Sequence, residues 1–150
     1  MKGSIFRKIV NLSLNRNNMR EIKYRAYVKH LQIIIEVQRI NFDCKTVEWY
    51  IVHPDEWDMS EFSFDEVELM QYTWLKDKNG KIIYESDIVE VNTFEHWNIR
   101  MYVIYDAPLF LLSPNIWEKI NVMNFSTPNV HETVIWNIYE NPELLWNQHK

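Results

Sequence analysis

One dipeptide constrains this chain more than any other feature. Asn79-Gly80 stands between a run of strand-forming residues that ends at Leu75 and a second that begins at Ile82. Asn and Gly tolerate positive φ best, and both central residues of a type I′ turn require it, so the pair predicts a tight β-hairpin turn. Before the turn, Val67, Leu69 and Gln71 share one face and Glu68, Met70 and Tyr72 the other, which suits a strand partly covered on both sides. After it, Ile82-Ile83-Tyr84 and Ile88-Val89-Glu90-Val91 are β-branched or aromatic. Glu85-Ser86-Asp87 separates these two runs and predicts a sharp corner or bulge, the means by which a small sheet curls into a barrel.

The same segment invites a calcium reading, since Asp77, Asn79, Gly80 and Ile82 fit positions 3, 5, 6 and 8 of an EF-hand loop. The match then fails. Leu75 would be the first ligand and Ser86 the bidentate twelfth, and neither supplies a carboxylate. No helical pattern flanks the loop, so a plain hairpin turn is the better account.

Elsewhere the pattern is again that of short strands. Glu21 to Val28, Gln32 to Phe42 and Lys45 to Val52 read as strands, the last two joined across Asn41-Phe42-Asp43-Cys44. His53 to Asp65 reads as an acidic loop. Ile99 to Tyr105 and Leu109 to Ser113 form an expected hairpin across Asp106-Ala107-Pro108. Trp117 to Val122 reads as a short strand, and His131 to Tyr139 as a clear one. Asn141-Pro142-Glu143 predicts a short terminal helix, with Asn as cap, Pro at the first position and Glu facing the positive end. Near the start, Ile5, Phe6, Ile9, Val10 and Leu14 recur at helical spacing over residues 3–14. Many short strands with few helices make the fold mainly β, a small barrel.

Three stretches stand out: Met19-Arg20-Glu21-Ile22-Lys23-Tyr24-Arg25-Ala26-Tyr27, the central run Leu69 to Val89, and Val134-Ile135-Trp136-Asn137-Ile138-Tyr139-Glu140-Asn141-Pro142-Glu143-Leu144. Together they resemble the YopX family of phage and prophage proteins. The resemblance implies an SH3-type small barrel with additional strands and short helices at the termini. It implies a phage or prophage setting in a bacterial host, and no established activity comes with it. Trp74, Ser86 and Trp136 stand where family members usually carry Gly, which implies positive φ or close backbone approach at those positions. The chain holds only two glycines against an average usage of about 7%. Met19 sits where family members begin. Residues 19–150 are therefore read as the YopX-like domain, and residues 1–18 as an added extension, a leftover of expression or an unused upstream start.

Length and apolar content suit one domain with a core of its own. No apolar run approaches the roughly 20 residues that span a bilayer, and no signal-peptide pattern opens the chain. Cys44 is the only cysteine, which excludes an internal disulfide and a cysteine-rich metal site. Together these predict a protein of the bacterial cytoplasm with no membrane partner. The net charge of −5 is unevenly spread: residues 1–30 hold eight Lys or Arg against Glu21 alone, which is +7 and leaves −12 for the remainder. A basic arm can contact phosphate, and Arg16, Arg20, Lys23 and Arg25 are its nucleic-acid-binding candidates.

A search for chemistry finds no catalytic set, and neither an enzymatic activity nor a cofactor is expected. The five histidines are scattered, and two glycines cannot build a phosphate loop. His53, Asp55, Glu56 and Asp58 are the densest group of potential metal ligands, on a segment where such side chains more often face water, so no metal site is assigned. Glu66, Glu68, Asp87 and Glu90 lie near the hairpin, but spacing alone brings no two of them face to face. Seven tryptophans in a chain already rich in Ile, Val and Tyr point to contact surfaces as well as core. Trp57, Trp74, Trp136 and Tyr84 are the interaction candidates. The expected function is non-enzymatic protein-protein interaction with a host or phage protein. A nucleic-acid-binding barrel is the alternative, and a homo-oligomer closed by strand edges or exposed tryptophans is a further expectation.

Overall fold

The computed structural model describes residues 21–52, 57–92, 99–114, 123–124 and 131–146. The described residues form a mainly β structure of three antiparallel sheets, a single 3-10 turn at Phe64–Glu66 and one short α-helix. The first sheet has the order β2 (Ile33–Val37), β1 (Tyr24–Val28), β6 (Val67–Lys76), β7 (Ile82–Tyr84). The second is β3 (Arg39–Asn41), β4 (Thr46–Val52), β5 (Trp57–Ser63). The third is β11 (Met123–Asn124), β10 (Leu109–Ser113), β9 (Ile99–Asp106), β8 (Asp87–Asn92), β12 (His131–Asn137). The helix α1 spans Glu143–Trp146.

Strand β6 organises the fold. Its first half pairs with β1, from Val67↔Val28 to Gln71↔Tyr24, and its second half turns toward β7. The pairing with β7 shifts register between Tyr72↔Tyr84 and Lys76↔Ile82, where β6 advances farther than β7. Trp74 sits in that irregularity with φ 64°, and the Thr73 hydroxyl donates to the Ile83 carbonyl at 2.8 Å. Extra residues in one strand bend it and raise its twist, which is what curls this sheet.

The hairpin after β6 forms where expected, but its turn is not type I′. Among the described residues, positive φ falls at Gln32, Lys45, Trp74, Gly80 and Ser86, and not at Asn79. The Gly80 N–H donates to the Asp77 carbonyl at 2.9 Å, and the Asp77 N–H to the Lys81 carbonyl at 2.8 Å. Asp77 supplies the reason: its Oδ1 accepts the N–H of Asn79 at 2.8 Å and of Lys81 at 2.9 Å. That side-chain turn leaves only Gly80 in the left-handed region.

The corner at Glu85-Ser86-Asp87 is present. Ser86 has φ 67°, its N–H donates to the Val103 carbonyl at 2.8 Å, and its carbonyl accepts the Ile138 N–H at 3.0 Å. The tip of the hairpin meets β12, where the Lys78 N–H donates to the Glu132 carbonyl at 3.1 Å. These bonds join the first and third sheets into a curled half-barrel, consistent with the expected small β-barrel. Its interior holds Ile83, Val89, Val91, Met101, Val103, Leu112 and Val134. Ala26, Val28, Ile35, Val47, Phe62 and Val67 form a second core under β4 and β5. Full burial of each larger apolar side chain contributes about 1.5–3 kcal/mol. Leu145 seats α1 against Ile88, Tyr102 and Ile104.

Two expected elements differ. Gln32 to Phe42 is not one strand but β2 and β3, broken at Gln38. Gln38 hands the chain from one sheet to the other: its N–H donates to the Glu48 carbonyl at 3.1 Å, and its Oε1 accepts the Tyr50 N–H at 3.1 Å. The segment read as a loop from His53 to Asp65 contains strand β5, paired with β4 from Val52↔Trp57 to Thr46↔Ser63. It lacks a β-branched run, and pairing with β4 and burial of Phe62 impose the strand instead. The hairpin of β9 and β10 and the terminal helix form as expected. The expected helix at residues 3–14 and strand at Trp117 to Val122 lie outside the described residues.

Candidate functional site

The start of β8 and the end of β12 meet at a buried polar node. Asp87 is the first residue of β8 and is 1% exposed. Its Oδ1 meets Arg25 Nη2 at 2.5 Å and Asn137 Nδ2 at 3.4 Å, while Oδ2 accepts the Tyr84 N–H at 2.9 Å. The Arg25 guanidinium also lies over the Tyr84 ring, 4.2 Å from its centroid. Burial pushes the Asp87 carboxyl up and outweighs Arg25, the Tyr84 N–H and Asn137, which all pull it down. A buried charge needs such partners, because an unpaired one is far more costly than a paired one.

This buried node holds a surface rim in place. Asn137 is 2% exposed, and its Oδ1 accepts the Tyr139 N–H at 3.0 Å, while its carbonyl accepts the Asn141 N–H at 2.9 Å. The Tyr139 ring stacks on Tyr27 with centroids 5.1 Å apart and planes inclined by 12°. Burial raises the Tyr139 hydroxyl above its ordinary value, against a hydrogen bond from Ser86 that lowers it. Beside the stacked pair, the pairing of β12 with β8 shifts between Val134 and Trp136, leaving Ile135 as the extra residue. The bulge turns Trp136 outward, 54% exposed. Tyr27, Gln32, Trp136, Tyr139, Glu140 and Asn141 together line a pocket of about 390 Å³.

The other candidate residues have different surroundings. Trp74 is half-buried, with its ring 5.9 Å from Tyr72 and 6.2 Å from Phe110, and its indole N–H donates to the Glu21 carbonyl at 2.6 Å. It bridges two sheets from within. Tyr84 is 7% exposed beneath Arg25. Trp57 opens β5, and its side chain lies outside the described residues, as do Arg16 and Arg20. Lys23 pairs with Glu21 at 2.9 Å, and Arg25 is held by Asp87. His53, Asp55 and Glu56 and the side chain of Asp58 are outside the described residues. Among those described, no group of three or more His, Cys, Asp or Glu is placed to hold a metal ion. Nor is any described helix long and apolar enough to cross a membrane.

Sequence reasoning named Trp136 but passed over Tyr27, Gln32, Tyr139, Glu140 and Asn141 as its neighbours. It placed Asp87 near the hairpin without its partners. The stretch Trp136 to Asn141 lies within the third motif quoted above, and the packing of Tyr27 on Tyr139 has no local signal.

The family model described as YopX protein matches residues 23–146. The chain belongs to the YopX family. Every residue of the YopX-family rim and its buried node, from Arg25 to Asn141, falls inside that match. Among solved structures, protein EF1440 from Enterococcus faecalis is 24% identical, with a TM-score of 0.56 over 85% of this chain and 99% of that one. Protein yopX from Bacillus subtilis is 18% identical, with a TM-score of 0.57 over 81% of this chain and 96% of that one. At these identities the likeness bears on the YopX fold alone. No curated protein matches the sequence. Of the three positions where the resemblance sets glycine, Trp74 and Ser86 keep a left-handed backbone, and Trp136 stands instead at a bulge with open space before it.

Proposed function

We propose that this YopX-family chain is phage- or prophage-encoded and acts in the bacterial cytoplasm by binding another protein, without catalysis. The observation that carries the reading is the exposed Trp136 indole beside the Tyr27–Tyr139 stack, with Gln32, Glu140 and Asn141 on the same pocket wall. An exposed indole with polar groups around it is the make-up of an interface anchor. The buried Arg25–Asp87–Asn137 node supports this by holding the rim rigid, which lowers the entropy lost on contact. A nucleic-acid partner is less favoured, because Lys23, Arg25 and Lys29 each pair with a carboxylate of the chain itself.

Affinity capture from bacterial lysate tests the reading, with the wild-type chain and Trp136→Ala compared side by side. A partner retained by the wild type and lost by the variant, at an unchanged unfolding midpoint, is the expected result. Equal retention by both sinks it. Light scattering of the isolated chain distinguishes a foreign partner from a second copy.

A further inference from the structure

We infer that the rim pocket receives a guanidinium group, the arginine side chain of the partner protein. This rests on the protein-contact reading above and specifies the chemistry of the contact.

The pocket lining holds a single charge, the Glu140 carboxylate. Glu140 is exposed and carries no ion pair among the described residues. Gln32, whose side-chain amide carries an acceptor oxygen, also lines the pocket. Asn141 directs an amide N–H to Glu143 Oε1 at 3.3 Å, which leaves its amide oxygen as an acceptor. The lining thus combines one negative charge, two side-chain amides and an exposed indole. A cation over an indole gains from the ring quadrupole, and Arg is found there more often than Lys. A guanidinium is planar, is weakly hydrated and presents a fork of donors that fits one carboxylate in two bonds. An ammonium has neither the flat face for Trp136 nor the fork for Glu140. The setting agrees: residues 31–150 carry −12 of a chain whose total is −5, so the body attracts a basic partner. With about 390 Å³, the pocket has room for one long side chain and part of its neighbours.

The test is a titration of the whole chain with the peptide acetyl-Gly-Arg-Gly-amide and with the same peptide carrying citrulline, which keeps the shape and removes the charge. The reporters are the nuclear magnetic resonance signals of the Trp136 indole N–H and of the Gln32 and Asn141 side-chain amides. The expected result is a saturable shift of all three with the arginine peptide, about tenfold weaker with citrulline and about tenfold weaker in Glu140→Gln. Equal shifts with both peptides, or an unchanged affinity in Glu140→Gln, overturn the assignment. Lysate capture separates the two ideas. Retention that needs Trp136 but ignores Glu140→Gln leaves protein contact standing and removes the guanidinium. Retention that ignores Trp136→Ala removes the contact, and the guanidinium with it.

Discussion

Arg25 Nη2 and Asp87 Oδ1 lie 2.5 Å apart although 62 residues separate them in the chain. The pair ties the strand that opens the described fold to the corner that begins β8. Its members are nearly dry, with side chains 16% and 1% exposed. Through Asn137 it also sets the backbone that carries Tyr139 and Asn141.

Asp87→Asn removes the charge and keeps the shape, so the part-buried Arg25 is left without its counter-ion. The expected loss is about 3 kcal/mol, read as a lower urea midpoint. Adding Arg25→Met recovers part of it, since no stranded charge remains. An unchanged midpoint in the single variant shows that the pair does not hold the fold.

Asp77 predicts an acid dependence. Burial raises its carboxyl, but the N–H groups of Lys81, Val134 and Asn79 outweigh it and hold the pKa below its ordinary 3.8. A carboxylate depressed in the folded state stabilises fully above its unfolded pKa, and that stability is lost as pH falls through the folded value. The stability gap between wild type and Asp77→Asn is therefore largest at neutral pH and closes progressively below 3.8. A gap that stays constant to the lowest pH measured contradicts the hydrogen-bonding role.

At Trp74 the usual ranking of Gly and Ala is expected to invert. Glycine inside a strand is ordinarily less stable than alanine by roughly 0.5–1 kcal/mol. Here φ is 64°, where a Cβ costs about 1 kcal/mol or more. Both variants lose the contacts of the ring with Tyr72 and Phe110, so that loss cancels in the comparison. Thermal unfolding is expected to place Trp74→Gly above Trp74→Ala.

Gly80 tests the hairpin turn without steric ambiguity. A Cβ built there meets nothing within 4 Å, while φ is 83°. Gly80→Ala is expected to cost about 1 kcal/mol through the backbone alone, and Gly80→Asn less, because Asn accepts the left-handed region. Equal losses for Ala and Asn argue for some other cause.

Much of the fold was legible in local pattern. The hairpin near Asn79-Gly80, the corner at Ser86, the β9–β10 hairpin and the terminal helix all follow from turn chemistry and alternation within a few residues. The type of the first turn was not, because the Asp77 side chain competes for the N–H groups of Asn79 and Lys81. Strand β5 was not, because Trp57 to Ser63 has weak strand propensity and takes its form from β4. Of the candidate site, Trp136 could be picked out as an aromatic in a glycine position, while its neighbours could not.

The order of residues alone determined that this would be a β structure and where the chain would turn, because alternation and φ preference belong to short stretches. Only the tertiary structure decided which aromatics are buried and which face water. Trp74 and Trp136 look alike in the sequence, yet one lies half-buried between sheets and the other stands at a bulge. The same holds for Arg25, Asp87 and Asn137, whose meeting depends on strands pairing across distant parts of the chain. Burial and charge pairing are properties of packing, and no local window of residues contains them.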